Sequence, residues 1–565
     1  MWWFFVLRNF FELMKYTIQS TTFSTPLIDR LLGVRWITDD QDQFFAPTFR
    51  EYWIKPSLLS DFEIWVSRIL EAVKKGEKIA IFGDYDVDGV TSSRLLYVFI
   101  RNILKHPHIT VRLPNRLEDW YGIKSYHLDE MKEAWVDLVI TVDNGITAVA
   151  EMLHACEIGL DVVITDHHKQ LDEIPQAIAV INPQTSPDYD FKGICGVWVA
   201  FKVAVGMMQR LWYTPWRMQQ VIRYLLPMVA MGTVADCVPL VWENRLFVKL
   251  WLEYLNTRQW VPQSLLWFID YINIKWPVDS YHIWYMIWPR INAGWRIMSP
   301  YDSLWTLLHH GEKQVKYMEN IDNLNTQRRQ IQEKMFKLAE DQVNHDYHLL
   351  IAGGIEFHEG VVGIVSGRLT ERYYKPSLVY KHDHKKWVMV ASLRGPSYFS
   401  IIEMLYHARE MLDRYGWHKQ AWGFTVNQDK FDAACSLMQE YCTINLQDGR
   451  PDKESSIDTI ILPHEMTYHT VQQVLKLAPF GEGNREPLFA WPDVVITSVR
   501  KVGQKGNGHL KFTVNYDGVV FDAMRWSKWI KLTEFAVGQT WTIIGKLKSE
   551  PQNWYVVIED MVEKL

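Results

Sequence analysis

Lys78-Ile79-Ala80-Ile81-Phe82-Gly83-Asp84-Tyr85-Asp86-Val87-Asp88-Gly89 is the stretch on which the reading of this 565-residue chain turns. A β-branched apolar run that ends in three aspartates at alternate positions reads as a buried strand opening onto concentrated negative charge. The design recurs in Asp137-Leu138-Val139-Ile140-Thr141, Asp161-Val162-Val163-Ile164-Thr165 and Ala177-Ile178-Ala179-Val180-Ile181, each running straight into polar residues. Helical stretches, such as Val90 to Leu104 after the first strand, separate these runs, so residues 76–240 are expected to form a parallel sheet covered by helices. Ligands of open α/β sheets bind outside the carboxyl ends of the strands, and the polar residues there are the first candidates for function.

Two strand ends repeat the acidic theme, Thr141-Val142-Asp143-Asn144-Gly145 and Thr165-Asp166-His167-His168, and a further carboxylate lies in Gly232-Thr233-Val234-Ala235-Asp236. One aspartate of this kind is usually a helix cap. Several converging on one sheet edge need another explanation. Asp84, Asp86 and Asp88, on alternate positions of an extended segment, would point the same way and repel one another unless cations sat between them. An EF-hand is disfavoured because no glutamate stands at the twelfth position of such a loop. Carboxylates with one or two imidazoles suit Mn²⁺ or Mg²⁺. Two such ions about 3.5–4 Å apart activate a water and stabilise the leaving oxygen of a phosphodiester.

These four segments, in this order, resemble the motifs of the DHH phosphoesterase superfamily, the third being Asp166-His167-His168. Within it the chain is similar to the RecJ exonucleases through Pro289-Arg290-Ile291-Asn292-Ala293 and Leu324-Asn325-Thr326-Gln327-Arg328-Arg329. The resemblance covers nearly the whole chain. It implies two Mn²⁺ or Mg²⁺ ions held by Asp84, Asp86, Asp88, Asp143, His167 and Asp236, with Asp143 bridging them and His168 beside the scissile phosphate. Glu356 to Leu369 resembles the start of the DHH-associated domain, while Ser392-Leu393-Arg394 and Gly416-Trp417-His418 match the family's phosphate-binding region. Substrate contacts are accordingly expected from Arg394, His418, Gly416, Arg290 and Asn292.

The fold expected is α/β: an N-terminal segment (1–60), a parallel-sheet DHH catalytic domain (61–275), and a connecting region with a long helix (276–345). A second α/β, DHH-associated domain (346–450) and a C-terminal β-barrel of the OB type (451–565) follow. In the last, Arg500, Lys501, Lys505 and Lys511 interleave with Phe512 and Tyr516, the chemistry of a single-strand groove. Several tryptophans stand where the family has small residues: Trp198, Trp288, Trp295, Trp417 and Trp422. A bulky side chain at a site needing φ > 0 costs about 1–3 kcal/mol.

Hydrophobic residues at 48% and charged residues at 22% fit a soluble globular enzyme. Five scattered cysteines give neither a disulfide framework nor a thiolate zinc site, which points to a reducing cytoplasm. The apolar opening Met1 to Leu7 is too short to span a membrane. A net charge of -6 argues against indiscriminate binding of polyanions. The expected function is metal-dependent, 5′→3′ exonucleolytic hydrolysis of single-stranded DNA in repair and recombination, the polarity implied by resemblance alone. Resemblance also implies a monomer that works with a helicase and a single-strand-binding protein. The rivals are a phosphodiesterase for short oligonucleotides and a nucleic-acid-binding scaffold with weakened catalysis.

Overall fold

Strand β1 (Met14–Ser20) and helix α1 (Leu27–Val34) open the described chain, and the apolar runs that follow build the first sheet. Its strands are β2 (Ile79–Gly83), β3 (Ile109–Arg112), β4 (Leu138–Val142), β5 (Asp161–Thr165) and β6 (Ala179–Ile181), all parallel, in the order β3-β2-β4-β5-β6. Every residue of β2 and β4 is buried, which is why these segments read as continuous apolar runs rather than alternating ones. Strand order reverses between β2 and β4, so a crevice for ligand is expected at the ends that carry Asp84 and Asp143. The computed structural model of the protein describes residues 14–563 except 40, 120–121, 172, 260, 417–420, 448, 450, 504–508, 527–531 and 551–552. Trp417, His418 and Lys505 therefore lie outside the described residues.

Helices α2 (Val87–Val98), α3 (Ser125–Glu133), α4 (Gly196–Arg210) and α5 (Pro215–Ala235) belong to the same unit as this sheet. Helix α6 (Trp288–Ile297) packs on the long α7 (Glu312–Gln342), whose 31 residues match the polar, glycine-free stretch expected to be a connecting helix. A second, mixed sheet follows, formed by β7 (Leu350–Gly354), β8 (Ser377–Asp383), β9 (Val388–Arg394), β10 (Arg414–Gly416) and β11 (Ala421–Asn427) in the order β10-β11-β9-β8-β7. Helix α8 (Glu359–Tyr373) lies against β8 and β9.

Residues Ile54–Pro239 and Phe247–Pro451 form one compact unit that holds both sheets; Met1–Trp53, Leu240–Leu246 and Asp452–Leu565 form the other. In the second unit β12 (Lys453–Ile460), β13 (Phe489–Val502), β14 (His509–Tyr516), β15 (Val519–Arg525), β16 (Thr540–Glu550) and β17 (Asn553–Val562) make a seven-stranded sheet with β1. Pairing of β13 with both β14 and β16 closes β13-β14-β15-β17-β16 into a barrel, which leaves no free edge among those five strands. The N-terminal β1 runs parallel to β12 with Met14 opposite Lys453, so the chain's first described strand is completed by its C-terminal part.

The barrel corrects one sequence reading. Residues of β14 alternate, with Leu510, Phe512, Val514 and Tyr516 buried and Lys511 between them partly exposed. Phe512 and Tyr516 fill the barrel interior, where no base can stack on them, because the period of two that gives Lys511 to solvent gives the rings to the core. Trp198, Trp288 and Trp295 lie in or at the start of helices and Trp422 in β11, none with left-handed backbone. Trp198 is fully buried, edge-on to Phe247 at 4.3 Å. No helix among the described residues is long and apolar enough to cross a membrane.

Candidate metal centre

The first acidic loop is held by its own chain direction. Helix α2 starts at Val87 rather than after Gly89, because the Asp86 side chain caps it, accepting from the Asp88 and Gly89 N–H groups at 2.9 and 3.1 Å. The segment is thus extended only as far as Asp86, and Asp88 sits in the first helical turn. Gly89 is required there: a Cβ would lie 2.4 Å from the Asp84 carbonyl oxygen. The Asp88 carboxylate in turn receives the N–H groups of Gly196 and Val197 at the start of α4, at 2.5 and 2.9 Å.

Four segments then meet at the carboxyl edge of the first sheet. Ligand atoms of Asp84, Asp86 and Asp143 lie within 4.8 Å of one another, as do those of Asp88, His167 and Asp236, and those of Asp143, His167 and His168. His167 Nε2 is 3.1 Å from Asp143 Oδ1, 3.6 Å from Asp236 Oδ2 and 3.8 Å from Asp88 Oδ2. Asp143 adopts φ 62°, a left-handed conformation that aspartate tolerates better than most residues.

Do these residues fit cations? Asp84 Oδ1, Asp143 Oδ1 and His167 Nε2 are buried without a hydrogen-bond partner among the described residues, a costly state that a divalent ion between them would remove. Burial, then the neighbouring Asp236, raises the Asp88 carboxyl to about 7; burial, then Asp86, raises Asp236 to about 7. Asp84 and Asp143 are pushed well above the carboxylate range, first by burial and then by the aspartates around them. Burial and the neighbouring His168 lower His167 to about 4, leaving a neutral imidazole available as a nitrogen ligand. The donor set, mostly carboxylate oxygen with one imidazole, fits Mn²⁺ or Mg²⁺.

Asp166 belongs to the motif but not to these clusters. Its Oδ1 accepts from the His167 and His168 N–H groups at 2.7 and 3.2 Å and lies 2.8 Å from His168 Nδ1, while Oδ2 accepts from Ile146 N–H at 2.9 Å. It ties the β5 loop to the β4 loop, a positioning role that sequence reasoning did not assign. Although burial opposes it, the charge and hydrogen bond of Asp166 raise His168 to about 9; Asp166 itself, despite burial, is held at about 2, first by His168.

A group of arginines lies beside the clusters. The Arg116 Nη1 donates to the Tyr85 hydroxyl at 3.2 Å, and its guanidinium stands 4.7 Å over the Trp295 ring. Arg296 stands 4.0 Å over the same ring and donates to the Gly360 carbonyl at 3.1 Å. Arg394 donates to Ser392 Oγ at 3.0 Å and to the Leu393 carbonyl at 2.8 Å. Burial, then repulsion from Arg116, Arg328 and Arg394, lowers Arg296 to about 9; burial and Arg116 lower Arg394 to about 10. None of the four forms an ion pair within 4.0 Å among the described residues. Half-buried arginines that repel one another in this way would be favoured by an anion placed among them. Arg116, Arg296 and Arg328 were not singled out as ligands from sequence, although Arg328 lies in the quoted segment Leu324 to Arg329.

The remaining sequence candidates have other partners. Arg290 Nε pairs with Asp322 of α7 at 2.7 Å, and Asn292 Oδ1 accepts from Trp295 Nε1 at 2.8 Å. Gly416 ends β10 opposite Gly423, and Lys511 is ion-paired with Asp522 at 2.6 Å.

The raised carboxyls set a pH dependence. Between 3.8 and about 7 the folded protein holds more protons on Asp88 and Asp236 than the unfolded chain does, so without cations stability falls as pH rises through that window. The melting temperature of chelator-treated protein is expected to be lower at about pH 8 than at about pH 5, with Mn²⁺ restoring it most at pH 8. A flat profile with no Mn²⁺ effect would contradict this assignment.

Residues 78–233 match the DHH family, N-terminal domain, and residues 457–555 the RecJ OB domain. The chain is 30% identical to the single-stranded-DNA-specific exonuclease RecJ of Salmonella typhimurium over 82% of its own length and 84% of that protein. It is 30% identical to the RecJ of Bacillus subtilis over 94% of its own length but spans only 66% of that longer relative. The crystal structure of RecJ with Mn²⁺ from Thermus thermophilus has the same fold, with a TM-score of 0.80 over 98% of this chain and 80% of that one at 24% identity. A DHH domain followed by a RecJ OB domain, together with this identity across most of a curated relative, places the chain in the RecJ family of single-stranded-DNA-specific exonucleases.

Proposed function

We propose that this protein removes nucleotides from the 5′ end of single-stranded DNA by metal-dependent phosphodiester hydrolysis. One observation carries the reading: two three-ligand clusters, Asp84/Asp86/Asp143 and Asp88/His167/Asp236, adjoin a group of arginines that form no ion pair within 4.0 Å among the described residues. When bound there, paired Mn²⁺ or Mg²⁺ supplies an activated water and stabilises the departing oxygen. Asp143, grouped with Asp84 and Asp86 and also with His167, would be the carboxylate shared between the two ions. His168, held cationic by Asp166, donates a proton or hydrogen bond toward the leaving oxygen. Arg394, Arg296, Arg116 and Arg328 grip the strand's phosphates, the planar guanidinium matching two oxygens at once. Gly416 lets backbone approach the strand and His418 adds a contact, Arg290 and Asn292 shape the wall through α6, and in the other unit Lys505 and Lys511 offer cations to single-stranded DNA. The 5′→3′ direction, work in repair and recombination beside a helicase and a single-strand-binding protein, a monomeric state and a cytoplasmic location follow the family resemblance.

End-labelled single strands incubated with Mn²⁺, Mg²⁺ or chelator test this reading. Mononucleotides released from the 5′ end only with metal are expected; metal-independent release or none would overturn it. A duplex about 20 Å across is excluded from a site that threads one strand. Blunt duplex is therefore expected to react at least about tenfold more slowly than single-stranded DNA of the same sequence, and equal rates would rule out threading.

A further inference from the structure

Arg94 lies two turns along α2 from Asp88 and is only 2% exposed. Its Nε donates to the Leu307 carbonyl at 2.9 Å, its guanidinium faces the Tyr224 ring at 5.8 Å, and its Nη1 has no hydrogen-bond partner among the described residues. Leaving a buried guanidinium without a counter-charge costs several kcal/mol. Arg94 helps to line a cavity of about 500 Å³, within the size range of small-molecule sites. Arg101 and His309 add basic groups, Tyr97 and Tyr224 add rings, Asn102 adds an amide, and no aspartate or glutamate stands in the wall among the described residues. The metal centre uses none of these residues.

We propose that this cavity binds a phosphomonoester of the nucleotide class, with its phosphate on Arg94 and Arg101 and its base against the tyrosines. Basic groups without acidic neighbours select an anion; rings and an amide select a base over a bare ion. The ligand sits against the helix that presents Asp88, so its occupancy bears on the metal centre. Identifying it with the mononucleotide product rests on the proposed activity, but binding itself does not. Calorimetry on chelator-treated protein compares a deoxynucleoside monophosphate, inorganic phosphate and the unphosphorylated nucleoside. Arg394→Ala removes the competing arginine site. In that background the monophosphate is expected to bind, and Arg94→Leu to weaken it at least about tenfold. Should Arg94→Leu not fold, the exposed Arg101→Ala serves, with a loss of about threefold or more. Unchanged affinity in these variants, or equal binding of nucleoside and monophosphate, overturns the proposal. Equal binding of phosphate and monophosphate overturns its nucleotide part.

A different observation concerns the tryptophans, of which the chain has 27. Left-handed backbone occurs at Trp36 (φ 57°), Trp135 (φ 60°), Trp212 (φ 54°), Trp242 (φ 49°) and Trp387 (φ 56°). The first three end α1, α3 and α4 in one and the same motif: Trp135 N–H donates to the Lys132 carbonyl and Val136 N–H to the Met131 carbonyl, and Trp36/Ile37 and Trp212/Tyr213 repeat it. Gly159 and Leu160 make that motif with glycine in the left-handed place, which is its usual occupant. The indoles gain nothing in return, being 90%, 85% and 91% exposed at residues 36, 135 and 212. Strain without burial points to a residue lacking a Cβ. Trp295 and Trp417 also stand where the family pattern has glycine.

We infer that glycine is inserted at positions 36, 135, 212, 242 and 387 in the cell that makes this protein, through a codon, UGA, that one genetic code reads as tryptophan and another as glycine. Sequencing the gene and measuring peptide masses of the protein from its native source test this. UGA and a glycine mass at all five positions are expected; UGG codons or tryptophan-containing peptides there would overturn it.

Discussion

Asp143→Ala is expected to lower kcat on single-stranded DNA by at least about 1000-fold. Asp143 reaches members of both clusters, with Asp84 and Asp86 on one side and His167 on the other. Ion-mediated stabilisation of a phosphoryl transition state is worth several kcal/mol, and about 4 kcal/mol is 1000-fold in rate. The fold should survive, because the side chain lies in a field of like charge that removal relieves. Asp143→Asn is the sharper variant: asparagine keeps the left-handed conformation that alanine disfavours by roughly 1 kcal/mol. Chelator-treated Asp143→Asn is therefore expected to melt above chelator-treated wild type and to gain less from Mn²⁺. Activity near wild type in either variant would sink the shared-ligand geometry.

Arg394→Ala is expected to cost about 30- to 150-fold in kcat/KM on 5′-phosphorylated single strands, the equivalent of about 2–3 kcal/mol for a charge-assisted pair. Arg394→Lys should recover little, since an ammonium cannot present two parallel N–H groups. The loss should appear mainly in KM, and the dependence of log affinity on log salt should flatten by about one phosphate contact. Stability without DNA should not fall comparably, because the cation removed repels Arg296 and is repelled by Arg116. A fall in melting temperature with unchanged KM would mark Arg394 as structural.

The parts legible in the sequence are those written in consecutive residues. β-branched runs ending in Asp84, Asp143 and Asp166 announce both the buried parallel strands and the chemistry at their ends, and β5 runs from Asp161 to Thr165 as read. The long polar helix is equally plain, having neither glycine nor proline between Glu312 and Gln342. What escapes depends on residues far apart in the chain. Arg116, Arg296, Arg328 and Arg394 come from separate elements, and nothing local to any one of them says that their charges will meet. The pairing of β1 with β12 joins Ile18 to Ile457, beyond the reach of any periodicity. The role of Asp166 is hidden because nothing local says that its Oδ2 will accept from Ile146 N–H, twenty residues away, while its Oδ1 accepts from the His167 and His168 N–H groups. The start of α2 falls earlier than the sequence suggests because Asp86 serves both as cap and as cluster member, and the cap is the part that sets the helix.

Diffraction from a crystal grown with Mn²⁺ and measured at the manganese absorption edge addresses the central claim most directly. Two anomalous peaks about 3.5–4 Å apart are expected, one among Asp84, Asp86 and Asp143 and the other among Asp88, His167 and Asp236, with Asp143 touching both. A single peak, or peaks away from these side chains, would contradict the account.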